Sequence, residues 1–508
     1  MKDTANKVIF NTIVLYAKII ITMCISLLTV PMVLRALGES DYGIYNLIAG
    51  IVSMLAFLNA SMTIATQRYL SVAIGENNSE KLNVIYNTSL CLHLIIGSLI
   101  VLILEIAGLF LFDGFLNIPP ERIHTAKIVY QFIVASTFFT ILSVPYNATM
   151  NAKEDMLAFS LIGIFDSIAR LSIAFLIAHS SCDRLLLYAL LLAILTISVT
   201  LINSIYVKSK YREFTYSPRR FLNKRILYEM FGFAGWNTLG AVAMIGRNQG
   251  IAILFNVFIG TIANAAYGIA NQVNGVLSYF SSTFQKAINP QLMQSQGMNN
   301  RERLIRISLW SSKYSVFVLA LFAVPLILEM PYILKLWLNE IPDHSIIFCQ
   351  LILLLSIVYQ YSTGLMSAIQ AVGKIKNYFI IMSLLIVMNI PISYLILRLS
   401  LPPYFCLVAF IVIEVISLIV RMKMAERLVG IRLILFIKKV VIPTLYTIMG
   451  ACLIAYLVHS FLPESFFRLL SVMVIYVFFY MFFSWKWVID LPHKEKLRGM
   501  IVKFLKIK

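Results

Sequence analysis

Four cations lie deep inside long apolar stretches, where a charge is costly: Lys18, Arg170, Arg247 and Lys313. Asp166 precedes Arg170 by four residues, so the two can neutralise each other on one helix face, which favours a structural role for the pair. The other three cations have no acidic residue one helical turn away. Charges at such depth usually face a cavity. The four cations therefore predict a cationic cleft for an anion, against the alternatives of snorkelling and of pairing with distant acids.

Amide and acidic side chains in the same stretches extend this prediction. Singly, an amide within a spanning helix more often joins helices than binds a ligand. Together with the cations they predict a hydrated interior whose polar lining comprises Asn11, Asn237, Asn248, Gln249, Gln272 and Asn274. Deep acids are scarcer, and any proton-linked step would use Asp166, Glu105 or Glu414.

Sequence signatures of enzymes are absent. There is no GxxxxGK[ST] phosphate loop, no HExxH, no GxSxG and no His/Cys/Asp cluster at metal-ligand spacing. The six cysteines are scattered and form no CxxC pair, so the sequence predicts neither a disulfide framework nor a zinc site. We predict a protein that is not an enzyme, with no catalytic residues, no metal and no cofactor.

The composition indicates which elements must position these residues. Of 508 residues, 60% are hydrophobic and 13% are charged, and the mean hydropathy is +0.86. Soluble domains are about 45–50% apolar and about 25% charged, and a soluble chain of this size could not bury the excess. The net charge of +19 accompanies long uncharged stretches rather than basic patches interleaved with aromatic residues, so we predict no nucleic-acid partner.

Apolar segments long enough to cross a bilayer recur along the whole chain. A spanning helix needs about 20 mostly apolar residues. The sequence therefore predicts an all-α polytopic membrane protein, in which the first segment is too long for a signal peptide and is retained. The fourteen predicted spans are 8–34, 42–66, 84–112, 126–148, 156–177, 185–207, 226–259, 263–284, 304–328, 346–371, 378–397, 404–420, 440–458 and 466–487.

The loops predict the orientation. Basic residues are concentrated in 208–225, 421–439 and 494–508, which fall on the side of the N-terminus when fourteen spans are counted. The positive-inside rule then places both termini in the cytoplasm. No loop reaches the roughly 50 residues that a folded domain needs, so the function must lie in the helix bundle.

A polar pattern recurs in the second half of the chain. The sequence YGIYN at 42–46 returns as YGIAN at 267–271, and GENN at 75–78 returns as GMNN at 297–300. Polar loop residues that recur in order predict two parallel six-helix repeats followed by two appended helices, a transporter architecture. The predicted regions are an N-terminal lobe 1–210, a C-terminal lobe 211–432, and the appended helices with a basic tail, 433–508.

The segment after the first predicted span resembles a known family. Residues 37–46, LGESDYGIYN, are similar to the LG-x-x-x-YG-x-Y signature of the polysaccharide transporter family. The second YG step and the fourteen-span plan resemble the same family. It includes O-antigen and exopolysaccharide flippases of the multidrug/oligosaccharidyl-lipid/polysaccharide exporter superfamily. The likeness is clearest over 11–81 and 226–303.

This resemblance implies a multi-pass flippase in the bacterial cytoplasmic (inner) membrane. Its substrate would be a polyprenyl-diphosphate-linked oligosaccharide, a repeat unit of O-antigen, capsule or exopolysaccharide, carried by alternating access. The implied partners are membrane lipids, the lipid-linked glycan, and the glycan polymerase and glycosyltransferases of the same pathway. The alternative is a cation-coupled multidrug antiporter of the same superfamily, although Lys18 and Arg247 would repel a cationic drug. A glycan polymerase or ligase would need a large external loop, and a scaffold leaves the deep cations unexplained.

Overall fold

The computed structural model describes residues 2–53, 56–112, 118–338 and 340–488. These residues are helical apart from turns and short connections, as an all-α fold predicts. The basic segment 494–508 lies outside the described residues. The α-helices are α1 (Lys2–Ser53), α2 (Ala56–Gly75), α3 (Ser79–Phe110), α4 (Ile123–Ala152), α5 (Met156–Ala178), α6 (Arg184–Lys210), α7 (Pro218–Phe221), α8 (Lys224–Phe258), α9 (Thr261–Gly297), α10 (Arg301–Leu328), α11 (Met330–Trp337), α12 (Ser345–Gln360), α13 (Thr363–Val372), α14 (Lys376–Val387), α15 (Asn389–Arg398), α16 (Tyr404–Val429), α17 (Leu433–Phe436), α18 (Ile442–Phe461) and α19 (Phe466–Phe483).

Eleven helical stretches within the described residues are long and apolar enough to cross a membrane, and a bent pair of helices raises the number to twelve. The pair is α12 and α13, which are bent by 42° relative to each other. The chain is thus a multi-pass membrane protein, but the predicted count of fourteen is not reproduced. Segment 8–34 and the first part of 42–66 both lie in α1 and are counted as one stretch, and 263–284 lies in α9, where amides and hydroxyls interrupt the apolar residues.

Gly38 marks the boundary between the first two predicted spans. Its backbone has φ 79° and ψ 167°, outside the helical region, although α1 continues on both sides. Glycine adopts this conformation without the steric cost that a Cβ would bring. The change of direction that the sequence predicts after residue 34 therefore occurs at Gly38, without an intervening loop.

The repeated GENN and GMNN segments have the same backbone geometry. Asn77 has φ 53° and Asn299 has φ 51°, both in the left-handed region. Each donates its backbone N–H to the carbonyl three residues earlier, at 3.1 and 3.0 Å. Asparagine tolerates this conformation better than most residues. The first copy continues into α3, where the Asn78 side chain caps the helix by accepting from Lys81 N at 2.8 Å.

The chain divides into two compact units. Unit 1 comprises the described parts of 1–241 and 289–300, and unit 2 comprises those of 242–288 and 301–508. The division into regions 1–210, 211–432 and 433–508 stays a prediction. Unit 1 has buried apolar clusters around Ile48 and Ile177, whereas Leu27 is 66% exposed on α1. Apolar side chains on both faces are what a membrane-embedded unit requires.

Candidate functional site

A cavity of about 220 Å³ lies inside unit 1. Four spanning helices, α1, α4, α5 and α6, form its walls. Most of the side chains that line it are polar or charged. The complete set of lining residues is Lys18, Thr140, Ser143, Asn147, Phe159, Ile162, Gly163, Asp166, Arg170, Thr196, Val199, Thr200 and Asn203.

Helical spacing brings these residues to one place. On α5, Phe159, Gly163, Asp166 and Arg170 follow one another at intervals of three or four residues, so they share one helix face. The lining residues of α4 and α6 are spaced in the same way. Helices α4, α5 and α6 therefore each contribute one helix face to the lining, and α1 contributes Lys18.

Lys18 is held at the wall formed by α5. Its Nζ lies 4.1 Å from the centroid of the Phe159 ring, a cation–π arrangement. Beside it, Gly163 leaves the room that the ammonium occupies, because a Cβ at position 163 would overlap Cε and Nζ of Lys18. Within the described ranges, no carboxylate forms an ion pair with Lys18. The cavity thus holds a cation that is stacked on an aromatic ring and forms no direct ion pair with the described residues.

Asp166 and Arg170 form the ion pair that their spacing predicts. Arg170 Nε donates to Asp166 Oδ2 at 2.9 Å. Asp166 is the one acid among the lining residues, and Arg170 neutralises it. The charge of Lys18 therefore makes the cavity net cationic. The cavity therefore favours ligands that carry negative charge.

Neutral groups complete the cavity lining. The hydroxyls of Thr196 and Thr200 each donate to a carbonyl one turn earlier on α6, at 2.9 Å. Their oxygen lone pairs remain available as acceptors. Asn203 is 3% exposed, and its Oδ1 accepts no hydrogen bond from the residues that the structure describes. These lining residues were not predicted, although their regular spacing within α4 and α6 is visible in the sequence.

Unit 2 has its own interior cation, Arg247 on α8. The guanidinium carbon lies 5.1 Å from the centroid of the Phe410 ring. Nε and Nη2 donate to Asn248 Oδ1 at 3.2 and 3.0 Å. No carboxylate among the described residues forms an ion pair with Arg247. Asn248, one of the predicted polar lining residues, thus contacts Arg247, one of the predicted cations.

Glu414, one turn after Phe410 on α16, is occupied by another arginine. Arg421 Nη1 donates to Glu414 Oε1 at 2.5 Å, and the residues are 3% and 6% exposed. Arg421 also donates to Ser362 Oγ at 2.7 Å and to Tyr378 OH at 3.2 Å. The sequence placed Arg421 in a cytoplasmic basic segment. Arg421 lies within α16, which continues to Val429, rather than in a loop, and Glu414, two turns earlier, pairs with its buried side chain.

The two units share this order of side chains. In each, a cation from α1 or α8 stacks on a phenylalanine, and an arginine lies eleven residues after that phenylalanine, at Arg170 after Phe159 and at Arg421 after Phe410. The intervening acid is paired with that arginine. Each unit consequently has one more cation than carboxylate in this group of residues.

The remaining predicted residues are not brought into the cavity of unit 1. Lys313 is buried in α10 of unit 2, 5.5 Å from the centroid of the Tyr314 ring. Asn11 donates to the backbone of Glu154 at 3.3 Å, and Asn237 donates to the backbone of Phe233 at 2.9 Å. These two amides contact backbone carbonyls, as residues that join or brace helices do.

Three further amides and one acid also lie apart from that cavity. Asn274 Oδ1 accepts from Ser356 at 2.5 Å, whereas Gln249 and Gln272 are exposed. Glu105 accepts from Gln131 Nε2 at 3.0 Å. Their assignment to a substrate or coupling site stays a prediction.

Sequence reasoning missed a second buried acid in unit 2. Glu329 is fully buried at the start of α11. Arg468 Nη2 donates to it at 3.0 Å, and His459 Nδ1 lies 2.8 Å from its other oxygen. These partners lie at least 130 residues away, on α18 and α19. No local spacing indicates this ion-pair network.

Comparison with known proteins identifies the fold. Residues 15–176 match the MatE family model. A crystal structure of MATE in complex with MaD3S superimposes with a TM-score of 0.73 at 15% identity, covering 84% of this chain and 97% of that one. The chain has the MATE fold. An outward-facing multidrug resistance MATE family transporter of the MOP superfamily gives a TM-score of 0.71 at 15% identity, with 83% and 95% covered.

A third match concerns pocket polarity. A MOP superfamily transporter from Pyrococcus furiosus, whose reversed pocket polarity is described as suggesting a different function, gives a TM-score of 0.72 at 15% identity, with 84% and 96% covered. No curated protein sequence matches the chain. These last two matched structures are described as transporters, and that this chain is not an enzyme stays a prediction.

Proposed function

We propose that this chain is a flippase that moves a polyprenyl-diphosphate-linked oligosaccharide across the bacterial cytoplasmic membrane by alternating access. The observation that carries the proposal is Lys18, which enters the cavity of unit 1 without an ion-pair partner among the described residues. A diphosphate would supply the anion through charge-assisted hydrogen bonds. The hydroxyls and amides beside Lys18 suit a glycan, which is rich in hydroxyl groups.

The cost of burying this charge supports a functional role. An unpaired cation in a spanning helix costs about 3 kcal/mol on insertion scales. The charge of Asp166 acts on Lys18, but the ion pair of Asp166 is with Arg170. Arg247 repeats the situation in unit 2, where Glu414 is occupied by Arg421. An anionic substrate would recover the cost in each unit.

A multidrug antiporter coupled to cations is the second candidate, and the comparisons favour it over the flippase. One matched structure is described as a multidrug resistance MATE family transporter, and the three compared structures include no described flippase. Two observations argue against a cationic drug as the substrate. The Pyrococcus furiosus protein associates the fold with reversed pocket polarity. In this chain, the positive charges of Lys18 and Arg247 would repel a cationic drug.

The decisive experiment follows lipid-linked oligosaccharide in cells that depend on this chain for export. In a Lys18→Ala/Arg247→Gln variant, we expect the glycan lipid to accumulate on the cytoplasmic leaflet while protein abundance stays near normal. Arg247→Lys should retain part of the transport, because the charge survives but the bidentate fork is lost. Lys127→Gln is the matched control, since it removes an exposed cation from α4. Normal export by the double variant would reject the cationic-site mechanism.

Dye efflux separates the two candidates. Everted membrane vesicles that contain the chain are given a cationic dye and a sodium or proton gradient. The flippase proposal predicts no gradient-dependent dye transport above vesicles that lack the chain. Dye transport by the wild type, together with unchanged glycan export when the chain is deleted, would establish the multidrug function instead.

We also propose that both termini are cytoplasmic. The reason is the positive-inside bias of the basic loops. A reporter fused after Lys508 should be cytoplasmic, and one inserted near Asn117 should be external; both positions lie outside the described residues. Chain ends on opposite faces of the membrane would contradict the orientation.

A further inference from the structure

The connection between α6 and α8 is short. Both helices are long and apolar enough to span, and α6 ends at Lys210 while α8 begins at Lys224. The few residues between them therefore stay close to the level at which the two spans leave the bilayer. We call residues 208–225 the basic linker.

Two asparagines on α3 hold the backbone of the basic linker. Asn83 Nδ2 donates to the Glu213 carbonyl at 2.8 Å, and its Oδ1 accepts from Thr215 N at 2.7 Å. Asn87 Nδ2 donates to the Thr215 carbonyl, and its Oδ1 accepts from Ser217 N, both at 2.8 Å. Side chains four residues apart on a helix, about 6 Å along the axis, match the two-residue repeat of an extended chain, about 6.6 Å. The two amide side chains thus form the kind of backbone hydrogen bonds with this segment that a neighbouring strand would form.

The inward groups of the basic linker are also satisfied. Phe214 is buried, with its ring centroid 4.9 Å from that of Tyr86. Lys210 is paired with Asp155 at 2.7 Å, and Glu213 is paired with Lys153. These contacts occupy the inward-facing groups of the linker.

Those remaining cations face outward. None of them has an ion-pair partner among the described residues, whereas the neighbouring Arg225 is paired with Glu229 at 3.1 Å. The exposed, unpaired cations are Lys208, Arg212, Arg219, Arg220 and Lys224. Two tyrosines lie among or beside them, Tyr216 at 63% exposed and Tyr228 at 72% exposed.

We propose that the basic linker is a docking surface for the headgroups of anionic phospholipids. Clustered lysines and arginines next to a spanning helix attract anionic lipid, and exposed tyrosines favour the headgroup level. A nucleic acid is the other polyanion that such a cluster could bind. The position of the linker between two span ends favours the lipid. This inference does not rest on the proposed transport function, because it concerns the surface of the chain and not the cavity.

The test measures binding of phosphatidylglycerol and of phosphatidylcholine to the purified full chain in detergent by native mass spectrometry. We expect tighter binding of phosphatidylglycerol to the wild type. Each cation near the surface contributes about fivefold to affinity, so Arg219→Gln/Arg220→Gln/Lys224→Gln should weaken the tightest phosphatidylglycerol site by about a hundredfold. Binding of phosphatidylcholine should not change.

The matched control is Lys423→Gln/Arg427→Gln/Arg432→Gln, which removes three exposed cations from another basic segment. It should leave the tightest phosphatidylglycerol site in place. Equal losses in the two triple variants would reduce the effect to net charge and overturn the proposal. So would equal affinity of the wild type for the two lipids, or tighter binding of a single-stranded oligonucleotide than of phosphatidylglycerol.

A second variant tests the role of the two asparagines. Asn83→Ala/Asn87→Ala keeps every cation but removes four hydrogen bonds to the linker backbone. We expect the preference for phosphatidylglycerol to fall, since the cations are no longer held together. A monodisperse elution profile verifies that the variant is folded. An unchanged preference in the folded variant would show that the fixed backbone is not part of the site.

Discussion

Gly75 and Gly297 pack reciprocally, each against the backbone of the other's helix. A Cβ at Gly75 would overlap the carbonyl oxygen of Gln294, and a Cβ at Gly297 would overlap the carbonyl oxygen of Val72. Gly75 precedes Gly297 by 222 residues, and Val72 precedes Gln294 by the same interval. Residue pairs exchanged in this way are the mark of a two-fold contact, here between repeated segments that both belong to unit 1.

The contact predicts that Gly297→Ala is destabilising. The added methyl group meets backbone rather than a flexible side chain, so α2 and α9 must separate. Overpacking of this kind costs about 1–3 kcal/mol. Thermal unfolding of the purified chain in detergent should register a lower midpoint.

Gly232→Ala is the matched control for Gly297→Ala. Gly232 also lies within a helix, but a Cβ there would meet nothing within 4 Å. Alanine is the better helix former, by about 1 kcal/mol, so this control should unfold at the same temperature or higher. If both variants lowered the midpoint equally, close packing at Gly297 would not be the cause.

Local patterns in the sequence predicted a large part of the molecule. Apolar segment lengths predicted the helical membrane fold. The recurrence of GENN as GMNN predicted two repeats, and the structure gives the two segments the same backbone geometry. The i,i+4 spacing of Asp166 and Arg170 predicted their ion pair, because that spacing fixes two side chains on one helix face. Eleven or twelve stretches meet the length and hydropathy requirement instead of fourteen, because the first two predicted spans are counted together in α1 and because α9 contains many amides and hydroxyls.

Features that depend on packing between distant helices could not be predicted. Lys18 lies beside Gly163 because α1 packs on α5, and no spacing within either helix specifies that contact. Glu329 meets Arg468 139 residues further along the chain for the same kind of reason. The buried Arg421 was assigned to a loop because a basic residue near the end of an apolar segment suggests an interface.

The space at Gly163 gives a test of Lys18 that leaves its charge intact. Gly163→Ala should displace the Lys18 ammonium from the Phe159 ring, because the new methyl group overlaps Cε and Nζ. If transport uses the position of this cation, glycan export should fall in the same direction as in Lys18→Ala. The measurement is lipid-linked glycan on the cytoplasmic leaflet at matched protein abundance.

Gly235→Ala provides the comparison for Gly163→Ala, since a Cβ at position 235 would meet nothing within 4 Å. It should export normally. Full export by Gly163→Ala, with loss of export in Lys18→Ala, would mean that the charge matters but its exact place in the cavity does not.

Asp155, in the turn between α4 and α5, predicts an acid-dependent loss of stability. It accepts from Tyr206 and Lys210 at 2.7 Å and from Tyr211 at 2.6 Å. Burial raises the pKa of this carboxyl, but the hydrogen bonds from Lys210, Tyr211 and Tyr206 outweigh burial and hold the pKa below its ordinary value. Since the folded pKa is depressed, the stabilisation is present above the unfolded pKa, about 3.9, and is lost as the pH falls through the lower folded value.

Unfolding midpoints measured from neutral pH to about pH 3 test this sign. Asp155→Asn should lower the midpoint at neutral pH and approach the wild type at the acid end of the range. Asp343→Asn, which removes an exposed acid, should parallel the wild type throughout. A deficit of Asp155→Asn that stayed constant with pH would show that the ionised carboxylate is not what stabilises the turn.

The Glu414–Arg421 pair predicts strong coupling between two substitutions. Both side chains are almost fully buried, and Ser362 and Tyr378 satisfy further donors of the arginine. Removing one partner leaves a buried charge uncompensated, at a cost of about 3–5 kcal/mol, so Glu414→Gln and Arg421→Met should each destabilise severely. Because apolar replacement of a whole buried pair is often neutral, Glu414→Leu/Arg421→Met should recover most of that loss.

The exposed pair Glu302–Arg306 is the control for these measurements of stability. Glu302 has a side chain 89% exposed and lies 3.6 Å from its partner, so Glu302→Gln should change stability by less than about 1 kcal/mol. Gradient-dependent transport by the Glu414→Leu/Arg421→Met variant would then exclude Glu414 as a coupling acid, whereas a stable but inactive variant would keep it as a candidate. Additive losses in the double variant would contradict the ion pair itself, since two groups that stabilise each other cannot be removed independently.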